Sequence, residues 1–289
     1  MEAEGRISLV SMRAQMRLAL ISAIVLPMNK EVELEVRADG IALLRVNRPE
    51  ARNALSWAAQ EAFADCVTAA NHNDAIRVLI IAGANGSFVS GGDLKELSGH
   101  PDKAAGERLN RVMSAALAQL TDLPCPVIAA VDGDAVGGGC EILTACDLRV
   151  ASADARFAFR QIHNGLTTGW GGTSRLVALI GQSRAMELLL TGRTFDAAEA
   201  QALGLIHRVV PAGTGALDAA YAWAEELRQL PRHALAALKT LVQAATYLPS
   251  LSANRLETQL FTRLWPAADH IEAMDAFVQK RAPRFNQDL

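Results

Sequence analysis

The chain has 289 residues, 51% hydrophobic and 20% charged, the composition of a folded chain with a large buried core rather than of a disordered or low-complexity one. Its 28 basic and 31 acidic residues leave a net charge of −3, so no overall field draws nucleic acid or anionic membrane, and any polyanion must be held locally. Cys66, Cys125, Cys140 and Cys146 show no C-x-x-C spacing and sit among apolar or small residues, which reads as reduced core cysteines of a cytosolic protein with no metal site.

In chain order, Arg6, Arg13 and Arg17 precede a short apolar run over 18–26 that resembles a leader. The run is shorter than the ~20 residues a bilayer span needs, lacks a clean cleavage site, and follows Glu2 and Glu4. Residues 1–28 are therefore expected to be a frayed extension ahead of an alternative start at Met28. From Glu31, period-two alternation at Val32, Leu34 and Val36, the Asp39-Gly40 turn and the apolar run 41–46 predict a β-hairpin. Ser56 is placed to cap a helix running to Asn71, and 78–82 reads as a buried strand.

The same grammar recurs. Gly91-Gly92-Asp93 opens a short helix, 108–120 forms a longer one, 127–131 is a buried strand, Gly137-Gly138-Gly139 opens a helix over 140–146, and 148–151 is another strand. Strand, glycine loop and helix in repeated order predict α/β layering with crossover connections. Asp196-x-x-Glu199 forms a capping box, Gly204 ends that helix, and 205–210 reads as a last strand. Helical patterns follow over 216–230, 233–247, 254–265 and 271–281, the last opened by a second box at Asp269-x-x-Glu272. The expected organisation is an extension over 1–28, a core over 29–215 and a helical C-terminal region over 216–289.

A helix start presents unpaired N–H groups and the positive end of its dipole, and a glycine there lets an oxygen approach the backbone. Two such starts, at Gly92 and Gly138, could converge on one oxygen as an oxyanion hole. Taken singly, the same glycines serve equally well as tight turns or close helix–strand packing. A dinucleotide fingerprint fits less well, because residues 133–138 do not give G-x-G-x-x-G.

Three stretches carry a resemblance: Asn47-Arg48-Pro49-Glu50-Ala51-Arg52-Asn53-Ala54-Leu55, residues 88–96 (FVSGGDLKE) and residues 132–141 (DGDAVGGGCE). In order and separation they resemble the signatures of the enoyl-CoA hydratase/isomerase (crotonase) family. That likeness extends through Cys146-Asp147-Leu148-Arg149, residues 165–176 and Gly204-Leu205-Ile206. It implies a crotonase-like spiral of ββα units with a helical C-terminal part, assembled as a homotrimer or homohexamer. The implied substrate is an acyl-CoA thioester, with coenzyme A entering as part of the substrate and no permanently bound cofactor. By the resemblance Gly92 and Gly138 fall on the oxyanion positions and Glu141 on a catalytic glutamate. Ala51, Arg52, Ala54, Leu94 and Lys95 fall where coenzyme A is wrapped, and Lys280 falls near a basic position that can meet its phosphates.

The family's second glutamate aligns with Gln161, and an amide cannot shuttle a proton, although it can orient a water or hold a substrate carboxylate. His163, two residues on, could compensate or be a satisfied structural histidine. Trp170, where common hydratases have a small residue, is expected to shape an acyl pocket or simply to pack. Residues 144–149 and 169–176 are similar to the branch holding ethylmalonyl-CoA and methylmalonyl-CoA decarboxylases, whose reaction needs the hole but not two carboxylates. Two further classes rank lower. RNA binding has only Arg6, Arg13 and Arg17 behind it, and a serine hydrolase would use Ser90 with His163 or His207 but lacks a G-x-S-x-G elbow.

Overall fold

The computed structural model describes residues 24–287. Its main sheet is built from β1 (Ile24–Asn29), β2 (Val32–Val36), β3 (Ile41–Val46), β4 (Val78–Gly83), β5 (Val127–Val131), β7 (Leu148–Ser152) and β10 (Arg208–Val210), hydrogen-bonded in that order. The two pairings among β1, β2 and β3 are antiparallel, and every later pairing is parallel. A small second sheet joins β6 (Asp134–Val136), β8 (Arg156–Ala158) and β9 (Phe195–Asp196). Among the described residues no helix is long and apolar enough to cross a membrane.

Period-two alternation sorts the strands between two cores. Ala42, Leu44, Leu79, Ile81, Val127 and Ala129 face the larger one, which is closed by α1 (Trp57–Asn71) and α3 (Lys103–Thr121). Ile41, Leu43, Val78, Ile80, Ile128 and Ala130 face the opposite side. There α8 (Ala216–Arg228) lies on the sheet through Ala220 and Ala224, small residues one turn apart that let the helix approach closely. The expected division at 215 therefore falls between chain segments but not between cores, because α8 completes the core of the preceding part. The helices after it, α9 (Arg232–Tyr247), α10 (Ser250–Leu264) and α11 (Ala268–Val278), form the C-terminal arm, while α6 (Gln182–Thr191) precedes the small sheet's last strand.

Three expectations need correction. Residues 24–28, expected to be frayed, form most of β1, because the outer edge of β2 offers an unpaired ladder. The register shifts between Leu26 and Asn29, where Pro27 has no N–H to give; residues 1–23, with Arg6, Arg13 and Arg17, lie outside the described residues. The final strand covers only Arg208–Val210, since Gly204 and Leu205 are spent closing α7 (Ala197–Ala202). The second capping box does not form, for α11 is preceded by Ala267 with no side-chain cap. Asp269 instead accepts from the Asn286 amide at 2.6 Å, and Glu272 takes Arg281 at 2.5 and 2.8 Å and the Arg284 amide at 2.7 Å, which hold its carboxyl down to about 2. At the first box only the aspartate half forms: Asp196 accepts from the Glu199 amide to cap α7, as Ser56 accepts from the Ala59 amide to cap α1, while the Glu199 carboxylate pairs with Arg193.

Candidate active site

The two glycine loops meet because β6 pairs on one side with residues 88–89. Phe88 N donates to Asp134 O at 3.1 Å and Val136 N to Val89 O at 3.0 Å, so the chain leaving each partner arrives at the same place. One leads to Gly91-Gly92 and α2 (Leu94–Leu97), the other to Gly137 and α4 (Gly138–Ala145). Gly91 has φ +92°, and a Cβ there would lie 3.0 Å from the Gly138 nitrogen; only glycine leaves that amide uncovered. The Gly92 amide faces away from Leu55, whose own ladder bonds go to Gly91 O at 2.7 Å and from Asp93 N at 2.9 Å. Among the described residues neither the Gly92 nor the Gly138 N–H has an acceptor, and Gly138 stands at the first position of its helix, where none is supplied.

A third segment is clamped onto this pair. Arg48 donates to Glu31 at 2.9 Å, to Asp93 at 3.0 Å and to the Ala54 carbonyl. Partial burial works to raise the Asp93 carboxyl, but Arg48 and the Glu96 and Lys95 amides together hold it below its usual value. Asn53, fully buried with φ +56°, accepts from Arg48 N and donates to Ala84 O and Ser87 O, each at 2.9 Å. This leaves Ala51 half-buried, Arg52 exposed and Ala54 buried beside the glycine loop, with Leu94 and Lys95 exposed on α2 across from them.

Glu141, 2% exposed, lies one helical turn after Gly138. Its carboxylate is fully engaged. Oε1 accepts from Gln161 Nε2 at 2.9 Å and Gly169 N at 3.2 Å, and Oε2 accepts from Trp170 N at 2.7 Å and Gly172 N at 2.9 Å. A carboxylate offers about four lone-pair positions, so the free acceptor expected of an acid/base residue is absent until one of these bonds opens. The physical reason is the start of α5 (Gly172–Ile180): its first amides need an acceptor, and no side chain caps that helix locally.

Trp170, 4% exposed, is held at both ends of its peptide, by Glu141 at its N–H and by Arg175 Nη2 on its carbonyl at 2.7 Å. Its indole lies against Gly138, where a Cβ would fall 2.1 Å from Cζ3. Arg175 also reaches Glu141 O at 3.2 Å and Thr144 at 3.3 Å, so it fixes α4 and the tryptophan together. His163 stands apart, exposed and bonded to Thr191 O at 3.1 Å, the structural alternative raised for it. The hydrolase arrangement is not assembled either: Ser90 reaches Ala51 O at 3.4 Å, while His207 takes the Arg149 amide at 3.3 Å and packs on Trp223.

Lys280 is not brought to the loops. It follows α11 in a left-handed conformation, on an arm whose polar contacts include Arg232 to Asp74, Asn286 to the Leu230 carbonyl, Lys239 to Asp147 and the Cys125 carbonyl, and Gln243 to the Thr121 carbonyl. That arm also holds an apolar cavity of about 480 Å³, lined in part by Phe261, Leu264, Trp265 and Phe285 and away from the glycine loops. The positioning residues Arg48, Asn53 and Arg175 were not singled out from sequence. Arg48 and Asn53 lie inside the first signature stretch, but nothing in their spacing shows that they bridge to residues 84–93.

The profile of the family described as Enoyl-CoA hydratase/isomerase matches residues 36–288. The probable enoyl-CoA hydratase of Mycobacterium tuberculosis is 37% identical over 259 residues, 89% of this chain and 99% of that protein. Human enoyl-CoA hydratase domain-containing protein 2, mitochondrial, is 35% identical over 266 residues, covering 88% and 89% of the two chains. Among solved structures, an enoyl-CoA hydratase from Bacillus anthracis superposes with a TM-score of 0.84 at 30% identity, over 88% of this chain and 98% of its own. The architecture is the crotonase fold, and the chain belongs to the enoyl-CoA hydratase/isomerase family.

Proposed function

We propose that this protein acts on an acyl-CoA thioester, with the Gly92 and Gly138 amides stabilising an enolate on the thioester oxygen, and that its reaction is hydration of an enoyl-CoA. The observation that carries this reading is the pair of amides without acceptors on two loops in contact. In hydration, water adds to C3, the double-bond electrons move onto the thioester oxygen, and C2 then takes a proton. Donors fixed before the charge develops stabilise that oxyanion without reorganisation, and one such donor is worth about 3–4 kcal/mol in known cases. Glu141, one helical turn after Gly138, is the acid/base group of this reading. To carry the proton it must release one donor, and the 3.2 Å bond from Gly169 is the longest of the four.

The surroundings support the same assignment. Ala51, Arg52, Ala54, Leu94 and Lys95 border the loops as a surface for the nucleotide part of coenzyme A, and Trp170 walls the acyl pocket beside Gly138. The exposed apolar residues Leu238, Val242, Phe277 and Val278 on the C-terminal arm support assembly into a homotrimer or homohexamer, in which Lys280 would meet the phosphates of a neighbouring subunit's substrate. A second reading is favoured by the engaged Glu141 and the amide at 161: decarboxylation of an ethylmalonyl- or methylmalonyl-type thioester forms the enolate without a base. Incubation with crotonyl-CoA, a branched enoyl-CoA and ethylmalonyl-CoA, with mass analysis of products, separates the two. Gain of one water supports hydration, loss of carbon dioxide from ethylmalonyl-CoA alone supports the second reading, and inertness toward all three refutes both.

A further inference from the structure

We propose that the C-terminal arm carries a second ligand site, separate from the acyl-CoA site, that takes a small uncharged aromatic molecule bearing one hydroxyl group.

The site is the cavity of about 480 Å³ where the start of α9, the end of α10, the start of α11 and the chain's tail meet. Its volume lies within the ~300–1,000 Å³ typical of small-molecule pockets. None of the residues lining it belongs to the glycine loops, to α2 or to the partners of Glu141, so it is not an extension of the acyl-CoA site. Asn286 fixes the frame. Its side-chain oxygen accepts from the Arg232 amide at 2.9 Å, its side-chain nitrogen donates to the Leu230 carbonyl at 3.2 Å, and its own amide donates to Asp269 at 2.6 Å. The tail is thereby pinned across the first turns of α9 and α11. Within that frame the helices line the space with Ala234, Ala268 and Ala273, side chains too small to fill it.

Two features of the lining say what fits. The first is an aromatic wall: the Phe261 and Trp265 ring centroids lie 5.4 Å apart, those of Trp265 and His270 lie 4.7 Å apart, and Phe285 is a further aromatic of the lining. A flat ring entering the cavity continues that series. Phe261 and Trp265 are 60% and 54% exposed, so the wall is reached from solvent. The second is a polar atom. His270 Nε2 is buried and, among the described residues, has no hydrogen-bond partner, whereas the polar atoms of Asn286 are spent on the frame. Leaving such an atom unmet costs free energy, so in native proteins it is met by water or ligand. A hydroxyl both donates and accepts, and therefore suits either tautomer of the imidazole. Charge is disfavoured in both senses. The Asp269 carboxylate opposes an anion, and the first turns of α9 and α11, the positive ends of two helices, oppose a cation.

The test is calorimetric titration of the full chain with 2-naphthol. Saturable binding is expected, unchanged by excess butyryl-CoA, with 2-naphthoate binding more weakly. His270→Phe keeps a ring in the wall and removes the nitrogen, and should weaken 2-naphthol about fivefold, the factor one net hydrogen bond supplies. Ala273→Trp fills the cavity and should abolish binding while acyl-CoA turnover stays at the parent level. Displacement of 2-naphthol by butyryl-CoA, or undiminished binding to the Ala273→Trp protein, overturns the inference. Absence of binding to the parent also overturns it, and a lower sedimentation mass for Ala273→Trp would then identify a second copy of the chain as the occupant. The acyl-CoA assignment rests on turnover of the thioester panel, so either can fail while the other stands. The ligand comparisons need no variant and hold even if Ala273→Trp does not fold.

Discussion

Replacing Glu141 by glutamine changes one oxygen of the buried carboxylate into an NH2 group, and every direction that group can face is already occupied by a donor. Facing Trp170 and Gly172, it strands two main-chain amides bonded at 2.7 and 2.9 Å. Turned toward Gln161 and Gly169 it does less harm, because Gln161 can rotate its own amide to accept, leaving only the Gly169 N–H unpaired. That orientation loses one bond to a charged acceptor and weakens those that remain, and it strands one buried donor; at about 1–3 kcal/mol each, the expected cost is about 2–4 kcal/mol of folding stability. Glu141→Ala strands all four donors and should cost more. Urea unfolding at constant m-value measures both. A Glu141→Gln protein within about 0.5 kcal/mol of the parent would refute the reasoning, since the carboxylate would then be a free catalytic group and not the brace of the 169–172 loop.

Gly138→Ala puts a methyl 2.1 Å from Trp170 Cζ3 and should destabilise by about 1–3 kcal/mol; adding Trp170→Ala should recover part of that loss, and strict additivity in the double-mutant cycle would show that the two do not touch. Arg48→Lys leaves a point charge that cannot reach Glu31, Asp93 and the Ala54 carbonyl together, so a loss of about 2 kcal/mol in thermal unfolding is expected, and an unchanged Tm would sink the clamp. Burial first, then Arg149 and Arg208, push His207 down to about 4. The folded ring thus stays neutral while the unfolded one takes up a proton, and stability should fall as pH drops from ~6.5 toward 4. Solvent screening of this partly exposed ring limits the effect to about 1 kcal/mol. His207→Gln should flatten that part of the stability profile, and an identical profile in the variant would exclude the histidine as its source.

The two boxes with the same spacing show where sequence reading succeeds and where it stops. At Asp196-x-x-Glu199 the aspartate caps its own helix, as local geometry favours. At Asp269-x-x-Glu272 the tail residues Arg281, Arg284 and Asn286 return and take both carboxylates, a competition that no window of four residues contains. The three strands of the small sheet were missed for another reason. Two or three residues are too few to display a period, and β6 and β9 are strands only because each pairs with β8 between them. In the site, the glycines at 91, 92, 137 and 138 were visible as helix openings, and the second and third signature stretches contain them. Glu141 was found for its position, but its hydrogen-bond partners were not, because the donors that engage it lie 20 to 31 residues away.

What the sequence determined alone is what short-range physics controls: period-two alternation on β2, buried apolar runs at β3 to β5, the Ser56 and Asp196 caps, the Asp39-Gly40 hairpin, and glycines where the backbone must turn or stay uncovered. Tertiary structure decided the rest. That Gly91 abuts the Gly138 amide, that Asn53 closes on Ser87, and that one carboxylate serves both Gln161 and the start of α5 all follow from strand register and from the pairing of β6 with residues 88–89. Each of these contacts joins segments whose separation along the chain carries no periodic signal, and it forms only after the sheet has set the distance between them.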